Sequence, residues 1–562
     1  MCGIAGVVAT DGADVAPSLR LMLNAMRHRG PDGAGYLVGN NLCRADNVDG
    51  LDWEGAHGPV ALGHTRLAVV GGSQGSQPFA CNSGPISLLH NGEIYNYQEL
   101  RPELEDRHNF VTATDSEVLA HLIGELYTGD LTAAVEKALM RCDGVYAIAV
   151  TDGQKVVIGR DLVGVRQLYV GRQGPLFAFA SEKKALWVLG IRQGIRRLLP
   201  GQLNTISADG VVSRQRDPNS LIPDDVSIID AGESQKAYRR TLESAIAKRI
   251  QNQERVGIIF SGGIDSLLVA QVSKRLGANI TCYSAGHADS SDLFHAVNMA
   301  RGLDMELRPV NLEENVVMGL IPDVINVIED RSTGQVEVAI PIFAAVRAAQ
   351  KEGQIVLLTG QAADELFGGY PWYRRIIEGE GYDQFQFRMQ DDLLHLYKET
   401  LEREDKITMA HSIELRVPYL DPEVIHTAMS IAPELKVFGG DDVLGKHVHR
   451  ELAVEMGIPY EWAMRPKEAA QHGAGVHDLL DSLARSNGFG PDVAERVGYS
   501  AEDNTDEQLG SSARYGYRYG DPQMWEPQDH VQLFLDWVAY ENDLLNEPDR
   551  TRVAEFVEEA RT

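Results

Sequence analysis

"RVGIIFSGGIDSLLVAQVSKRLG", residues 255–277, decides how the second half of this chain folds. It opens on a short apolar run, crosses Ser261-Gly262-Gly263 and continues with apolar residues at helical spacing. Strand, glycine turn and helix then recur. "NITCYSAG" (279–286) reads as a strand, "DLFHAVNMARGL" (292–303) as a helix and "MELRPVNL" (305–312) as a strand. That alternation predicts a doubly wound parallel sheet. From about residue 380 the pattern is mainly helical, and 486–530 is loop-rich.

The turn itself carries chemistry. Two glycines let backbone N–H groups converge as an anion nest at the start of a helix, which suits phosphate. It lacks the Gly-Lys-Ser/Thr ending of a Walker loop. A second glycine turn follows the apolar run of "IVLLTGQAADELFGGY" (355–370). Ligands of open α/β sheets bind at the carboxyl ends of strands, so Asp265 and Asp364 are expected to face one nucleotide. As hard oxygen donors they suit Mg²⁺; taken singly, each also reads as a helix N-cap. Neither turn supplies a lysine to a leaving phosphate, and Lys446 and Lys467 are the candidates downstream.

Residues 1–215 have another rhythm. "GPVALGHTRLAVV" (58–70) and "ISLLHNGEIYN" (86–96) are strand-like, "SEVLAHLIGELY" (116–127) is helical, and a hairpin is expected around Asp152-Gly153. This is an α+β pattern with antiparallel sheets. A stretch rich in Pro, Asp and Ser places a linker at 212–232, dividing the chain into domains at 1–215 and 230–562.

The 562 residues exceed one hydrophobic core and carry a net charge of −29, which argues against a nucleic-acid partner. Anionic substrates then need local Arg or Lys clamps. The start has no basic segment and Asp11 interrupts its apolar run, so no signal peptide is expected. The richest apolar stretch, "VEVAIPIFAAV", is broken by Pro341, and no membrane partner is expected. A soluble, cytoplasmic protein follows. Five widely spaced cysteines without a CxxC pair exclude a disulfide framework or zinc knuckle as an expectation. Cys2 stands apart. Once Met1 is removed, its thiol and a free α-amine belong to one residue, a nucleophile with its own base.

"MCGIAG", "HRGPDG" (28–33), "HTRLAVV" (64–70), "HNGEIYNY" (90–97), "SGGIDS" (261–266), "DELFGGY" (364–370) and "ELRVPYLD" (414–421) occur in the order found in glutamine-hydrolysing asparagine synthetases. The chain resembles that family over nearly its whole length. The resemblance implies an N-terminal four-layer αββα sandwich and a C-terminal ATP-pyrophosphatase sheet. It implies L-glutamine, L-aspartate and ATP as substrates, Mg²⁺ as cofactor, and it is compatible with a homodimer.

By the same resemblance, Cys2 attacks the glutamine amide, with Asn91 and Gly92 as oxyanion donors. Arg66, Leu67, Val69, Glu93 and Asp115 complete the glutamine site, Arg66 on the α-carboxylate and Glu93 and Asp115 on the α-ammonium. ATP and pyrophosphate fall on Ile259, Ser261, Gly262, Gly263, Asp265, Ser266, Ala285, Thr359, Gly360 and Lys446, with Mg²⁺ on Asp265 and Asp364. Lys467 in "RPKEAAQHGAG" matches the family's catalytic lysine. The chain departs from the family at Gln361, which replaces a glutamate tied to intermediate formation; glutamine hydrogen-bonds but is no base. The implied reaction makes asparagine through β-aspartyl-AMP and ammonia. The alternative is the same two-domain chemistry on another carboxylate.

Overall fold

The computed structural model describes residues 2–72, 75–82, 84–208, 210–466, 470–501 and 528–561. The chain divides into two compact units, Met1–Pro218 with Thr408–Glu414, and Asn219–Ile407 with Leu415–Thr562.

The first unit stacks two antiparallel sheets between helices. One has seven strands in the order Arg196–Arg197, Tyr169–Gln173, Leu176–Ala180, Gly3–Ala9, Val60–Thr65, Ala34–Val38, Asn41–Ala45. The other has six, in the order Gly210–Gln215, Gln202–Ser207, Val156–Arg160, Gly144–Thr151, Ser87–Ile94, Phe79–Ala80. Three cores fill the gaps between four layers. Ile4, Val8, Leu62, Leu89, Ile158 and Phe179 share the core that joins the two sheets. Ala5, Val7 and Ala9 pack in another with Leu19 and Leu23 of helix Ala16–Ala25. Leu88, Ile148 and Val150 pack in the third with Val118, Leu122 and Val135 of helices Asp115–Leu126 and Leu131–Leu139. The period-2 alternation along Gly3–Ala9 feeds two cores, so the strand is buried throughout.

The predicted hairpin at Asp152-Gly153 is present, with Thr151 opposite Val156. The expected strand over 58–70 stops at Thr65. Arg66 leaves the ladder and pairs instead with the 31–33 turn, its N–H donating to Gly33 O (2.8 Å) and its carbonyl accepting from Asp32 N (2.9 Å). The Gly210–Gln215 strand extends into the expected linker, and the next long helix begins at Ala231.

The second unit holds a sheet in the order Glu306–Asn311, Ile280–Gly286, Val256–Ile259, Val356–Leu358, Glu414–Arg416. Its first four strands are parallel neighbours. The helix Thr333–Lys351 runs through Pro341 rather than stopping there, and among the described residues no helix is long and apolar enough to cross a membrane. Helices dominate the chain from Pro371 onward; residues 502–527 of the predicted loop-rich segment lie outside the described residues.

Gly6 leaves room for the side chains of its own cross-strand partners: a Cβ there would lie 2.2 Å from Phe179 Cζ and 2.9 Å from Leu62 Cδ2. Gly6→Val is therefore expected to lower the unfolding free energy by about 3 kcal/mol through overpacking. A drop in midpoint on urea denaturation checks it; an unchanged midpoint contradicts the packing.

Candidate active sites

Cys2 begins the first site. The strand Gly3–Ala9 carries it beside Asn91 of the strand Ser87–Ile94, and Cys2 N–H donates to Asn91 Oδ1 at 2.8 Å. That bond fixes the amide's orientation, since only the oxygen can accept. Asn91 Nδ2 is left buried with no hydrogen-bond partner, beside the Cys2 nitrogen. Arg29 Nε donates to Cys2 O at 3.1 Å and is itself paired with buried Glu182 at 2.8 Å. Burial pushes the Cys2 thiol up, opposed by the nearby Arg66 guanidinium. The resting sulfur is therefore a thiol that needs a base.

Gly92 is required by close approach, because a Cβ would sit 2.1 Å from Val145 O. The adjoining His90 is locked by Gln77, whose Nε2 donates to His90 O (2.9 Å) and whose Oε1 accepts from His90 N (2.6 Å). Arg66 is buried; its Nη2 donates to the carbonyls of Val70 (3.3 Å) and Gly72, while Nη1 is buried and unpartnered. Asp115, the first residue of its helix, is buried too and accepts from Ile94 N at 2.9 Å. Glu93 is buried on the same strand as Asn91. Leu67 places its carbonyl 4.0 Å from Cys2 Sγ, and Val69 is half-buried in the following loop. Neither Arg66 nor Asp115 is a solvated surface ion.

The second site lies at the carboxyl ends of adjacent parallel strands. Ile259, Ala285 and Thr359 terminate Val256–Ile259, Ile280–Gly286 and Val356–Leu358 or lie within a residue of their ends. The first turn is pinned by its own serines. Ser261 N–H and Gly263 N–H donate to Ser266 Oγ and Ser261 Oγ, each at 3.3 Å, and Ser266 Oγ donates to Gly263 O at 3.2 Å. Gly262 takes φ +71° with Asp292 O and Ala296 N each 2.8 Å from where a Cβ would be, so only glycine fits. Gly360 has the same need: a Cβ would be 2.6 Å from Ser266 N.

Asp265 and Asp364 come together around Lys446. Its Nζ lies 2.7 Å from both Asp265 carboxylate oxygens and 2.6 Å from Asp364 Oδ1. Burial pulls Lys446 down, opposed by Asp265. His449 Nε2 stands 3.1 Å from Asp265 Oδ1, with Nδ1 on Tyr238 Oη at 2.8 Å; burial holds this imidazole below its usual range. Two carboxylates and one ammonium leave a net negative charge, and hard oxygens of this kind fit Mg²⁺.

Gln361 donates through Nε2 to Glu404 Oε1 on the buried helix Leu401–Ala410. Burial pushes the Glu404 carboxyl up to about 7, opposed by Arg403 and the Gln361 bond. Arg465 of the "RPK" segment reaches Gly262 O at 3.2 Å and Asp292 at 3.3 Å. Lys467 lies outside the described residues. Sequence reasoning missed Glu404 and His449, which reach the site from distant helices without a local motif.

One unit thus carries a thiol beside an amide donor, the other a phosphate-type turn with paired acids: a glutamine-dependent, ATP-using ligase. A glutamine amidotransferase domain model matches residues 1–197, and an asparagine synthase model matches 237–380 and 377–539. A putative glutamine-hydrolysing asparagine synthetase of Methanocaldococcus jannaschii is 32% identical over 535 residues, 87% of this chain and 96% of that protein. The Escherichia coli asparagine synthetase B is 28% identical over 95% of this chain and 91% of its own length. An Arabidopsis thaliana asparagine synthetase is 27% identical over 99% of this chain and 89% of its own. The chain belongs to the glutamine-hydrolysing asparagine synthetase family.

Removing the shared cation tests the second site's electrostatics. Lys446→Met is expected to lower the unfolding free energy by about 3–5 kcal/mol, because two partly buried carboxylates would lose the cation they share. Equal urea midpoints for variant and wild type would contradict the arrangement.

Proposed function

We propose that this enzyme converts ATP, L-aspartate and L-glutamine to L-asparagine, L-glutamate, AMP and pyrophosphate. The observation that carries the first half-reaction is the hydrogen bond from Cys2 N to Asn91 Oδ1. With Met1 removed, that nitrogen is the free α-amine. It takes the thiol proton as Cys2 Sγ attacks the glutamine amide carbon, and later delivers it to departing ammonia. Asn91 Nδ2 and the Gly92 N–H stabilise the oxyanion. Arg66 Nη1 takes the substrate α-carboxylate, Glu93 and Asp115 hold its ammonium, and Leu67 and Val69 frame the pocket. Water then hydrolyses the γ-glutamyl thioester to glutamate.

In the second half-reaction the aspartate β-carboxylate attacks the α-phosphorus of ATP, and pyrophosphate leaves. The 261–266 turn receives pyrophosphate, while Ile259, Ala285, Thr359 and Gly360 line the nucleotide site. Asp265 and Asp364 would hold Mg²⁺, which supplies charge neutralisation at the phosphates when bound. Lys446 fixes these two acids, and Lys467 is assigned to the acyl-adenylate. Unprotonated ammonia attacks the acyl carbon and AMP leaves.

Ammonia's attack creates an alkylammonium that must lose a proton. Glu404 supplies the base that Gln361 cannot be, with Gln361 orienting its carboxylate. A group poised near 7 suits proton transfer at neutral pH. A cytoplasmic setting, where the three substrates coexist, goes with this reading.

Incubation with ATP, aspartate and amide-¹⁵N glutamine is expected to give labelled asparagine with AMP and pyrophosphate. ATP consumption with other acids but not aspartate would overturn the reading. Cys2→Ala is expected to abolish glutamine-dependent synthesis and leave ammonia-dependent synthesis intact.

Glu404 gives a pH test. As a base it acts when ionised, so synthesis from ammonia, corrected for the free-amine fraction, should rise through about pH 7. Glu404→Gln should lose about 10²–10³-fold in kcat and flatten that acidic limb. An unchanged profile would remove Glu404 from the chemistry.

A further inference from the structure

Away from both sites, the six-stranded sheet and its covering helix enclose a second set of reactive side chains. Cys81 follows the short strand Phe79–Ala80. His108 sits in the loop before helix Asp115–Leu126, and His121 is on that helix. All three are buried. One ligand atom from each lies within 4.8 Å of the others, and Cys81 Sγ is 3.8 Å from His108 Nδ1.

Two further observations separate this cluster from ordinary packing. Both ring nitrogens of His121 are buried without a hydrogen-bond partner, although neutral imidazole carries one N–H and one lone pair. Glu117 Oε1 approaches only to 3.7 Å, and is committed to Val111 N, its Oε2 to Thr112 N. His108 turns its other nitrogen, Nε2, to Glu125 Oε2 at 3.1 Å. Imidazole facing a thiol on one side and a carboxylate on the other is the arrangement that orients a metal-bound histidine.

We infer that Cys81, His108 and His121 form a binding site for a zinc-class transition metal, through one thiolate and two imidazoles with the fourth position open to water. Tetrahedral zinc needs S···N separations of about 3.5 Å and N···N of about 3.4 Å, so modest side-chain closure completes the site. Binding releases the Cys81 proton to solvent. Soft sulfur and imidazole nitrogen select against Mg²⁺, which keeps this site apart from Asp265 and Asp364. The metal would tie the loop around His108 to the helix that begins at Asp115, so its role is positional for the glutamine site.

The test uses the full-length protein. Zinc loading followed by desalting should leave one tightly held zinc in Cys2→Ala, a background that removes the other candidate thiol. Replacement with Co²⁺ should give a thiolate-to-cobalt charge-transfer band in the near ultraviolet and tetrahedral visible bands. Cys81→Ser and His121→Asn should each lose the ultraviolet band or the tightly held metal, and a metal-free chain should show a raised KM for glutamine with unchanged ammonia-dependent kcat. No thiolate band in the Cys2→Ala protein overturns the inference, and so does a band that survives Cys81→Ser. Should those variants fail to fold, Cys81→Ala in the Cys2→Ala background decides, and a thiolate band that survives it overturns the inference.

Discussion

Lys446 holds the synthetase site together because a buried charge must be paired. Its ammonium is wrapped by Asp265 and Asp364, which come from separate strand–helix turns, while His449 closes on Asp265 from the helix His447–Glu455 that Lys446 precedes. Two carboxylates this close would otherwise repel each other, and the lysine between them offsets that repulsion and holds both aimed at one point. The backbone turns, in which Gly262 and Gly360 allow approaches that no side chain permits, deliver the acids to that point.

The amidotransferase site uses a single amide economically. One end of Asn91 fixes the Cys2 nitrogen, and the other end stays open as a donor. Arg66 repeats the logic, spending one guanidinium nitrogen on loop carbonyls and keeping the other unpartnered. In both cases a structural contact orients the side chain and leaves one of its hydrogen-bond donors buried without a partner.

Much of this was legible in the sequence, and physical proximity along the chain explains which parts. Cys2, the Asn91-Gly92 pair and the two glycine turns concentrate their chemistry within a few consecutive residues. The alternation of strand and helix beyond 255 fixed where those turns lie in the sheet. Arg66 and Asp115 were readable only within motifs, since an arginine and an aspartate alone look like surface ions; both are buried. The end of the strand at Thr65 was hidden because Arg66 pairs with a turn more than thirty residues upstream. Glu404 and His449 gave no local signal at all, being single residues on distant helices. Gln361 reads in the sequence as a side chain that hydrogen-bonds but is no base, and its partner, Glu404, lies more than forty residues away in the chain. The Cys81–His108–His121 cluster follows no spacing rule, because a strand end, a loop and a helix each contribute one residue.

The amidotransferase unit is not continuous in sequence. Thr408–Glu414 belongs to it, and Ser412 Oγ donates to His28 O at 2.8 Å inside the "HRGPDG" segment. A gene fragment ending at the linker would therefore encode a unit short of one of its own pieces. Such a fragment would leave the His28 carbonyl without the Ser412 hydroxyl that the full chain supplies from beyond the linker.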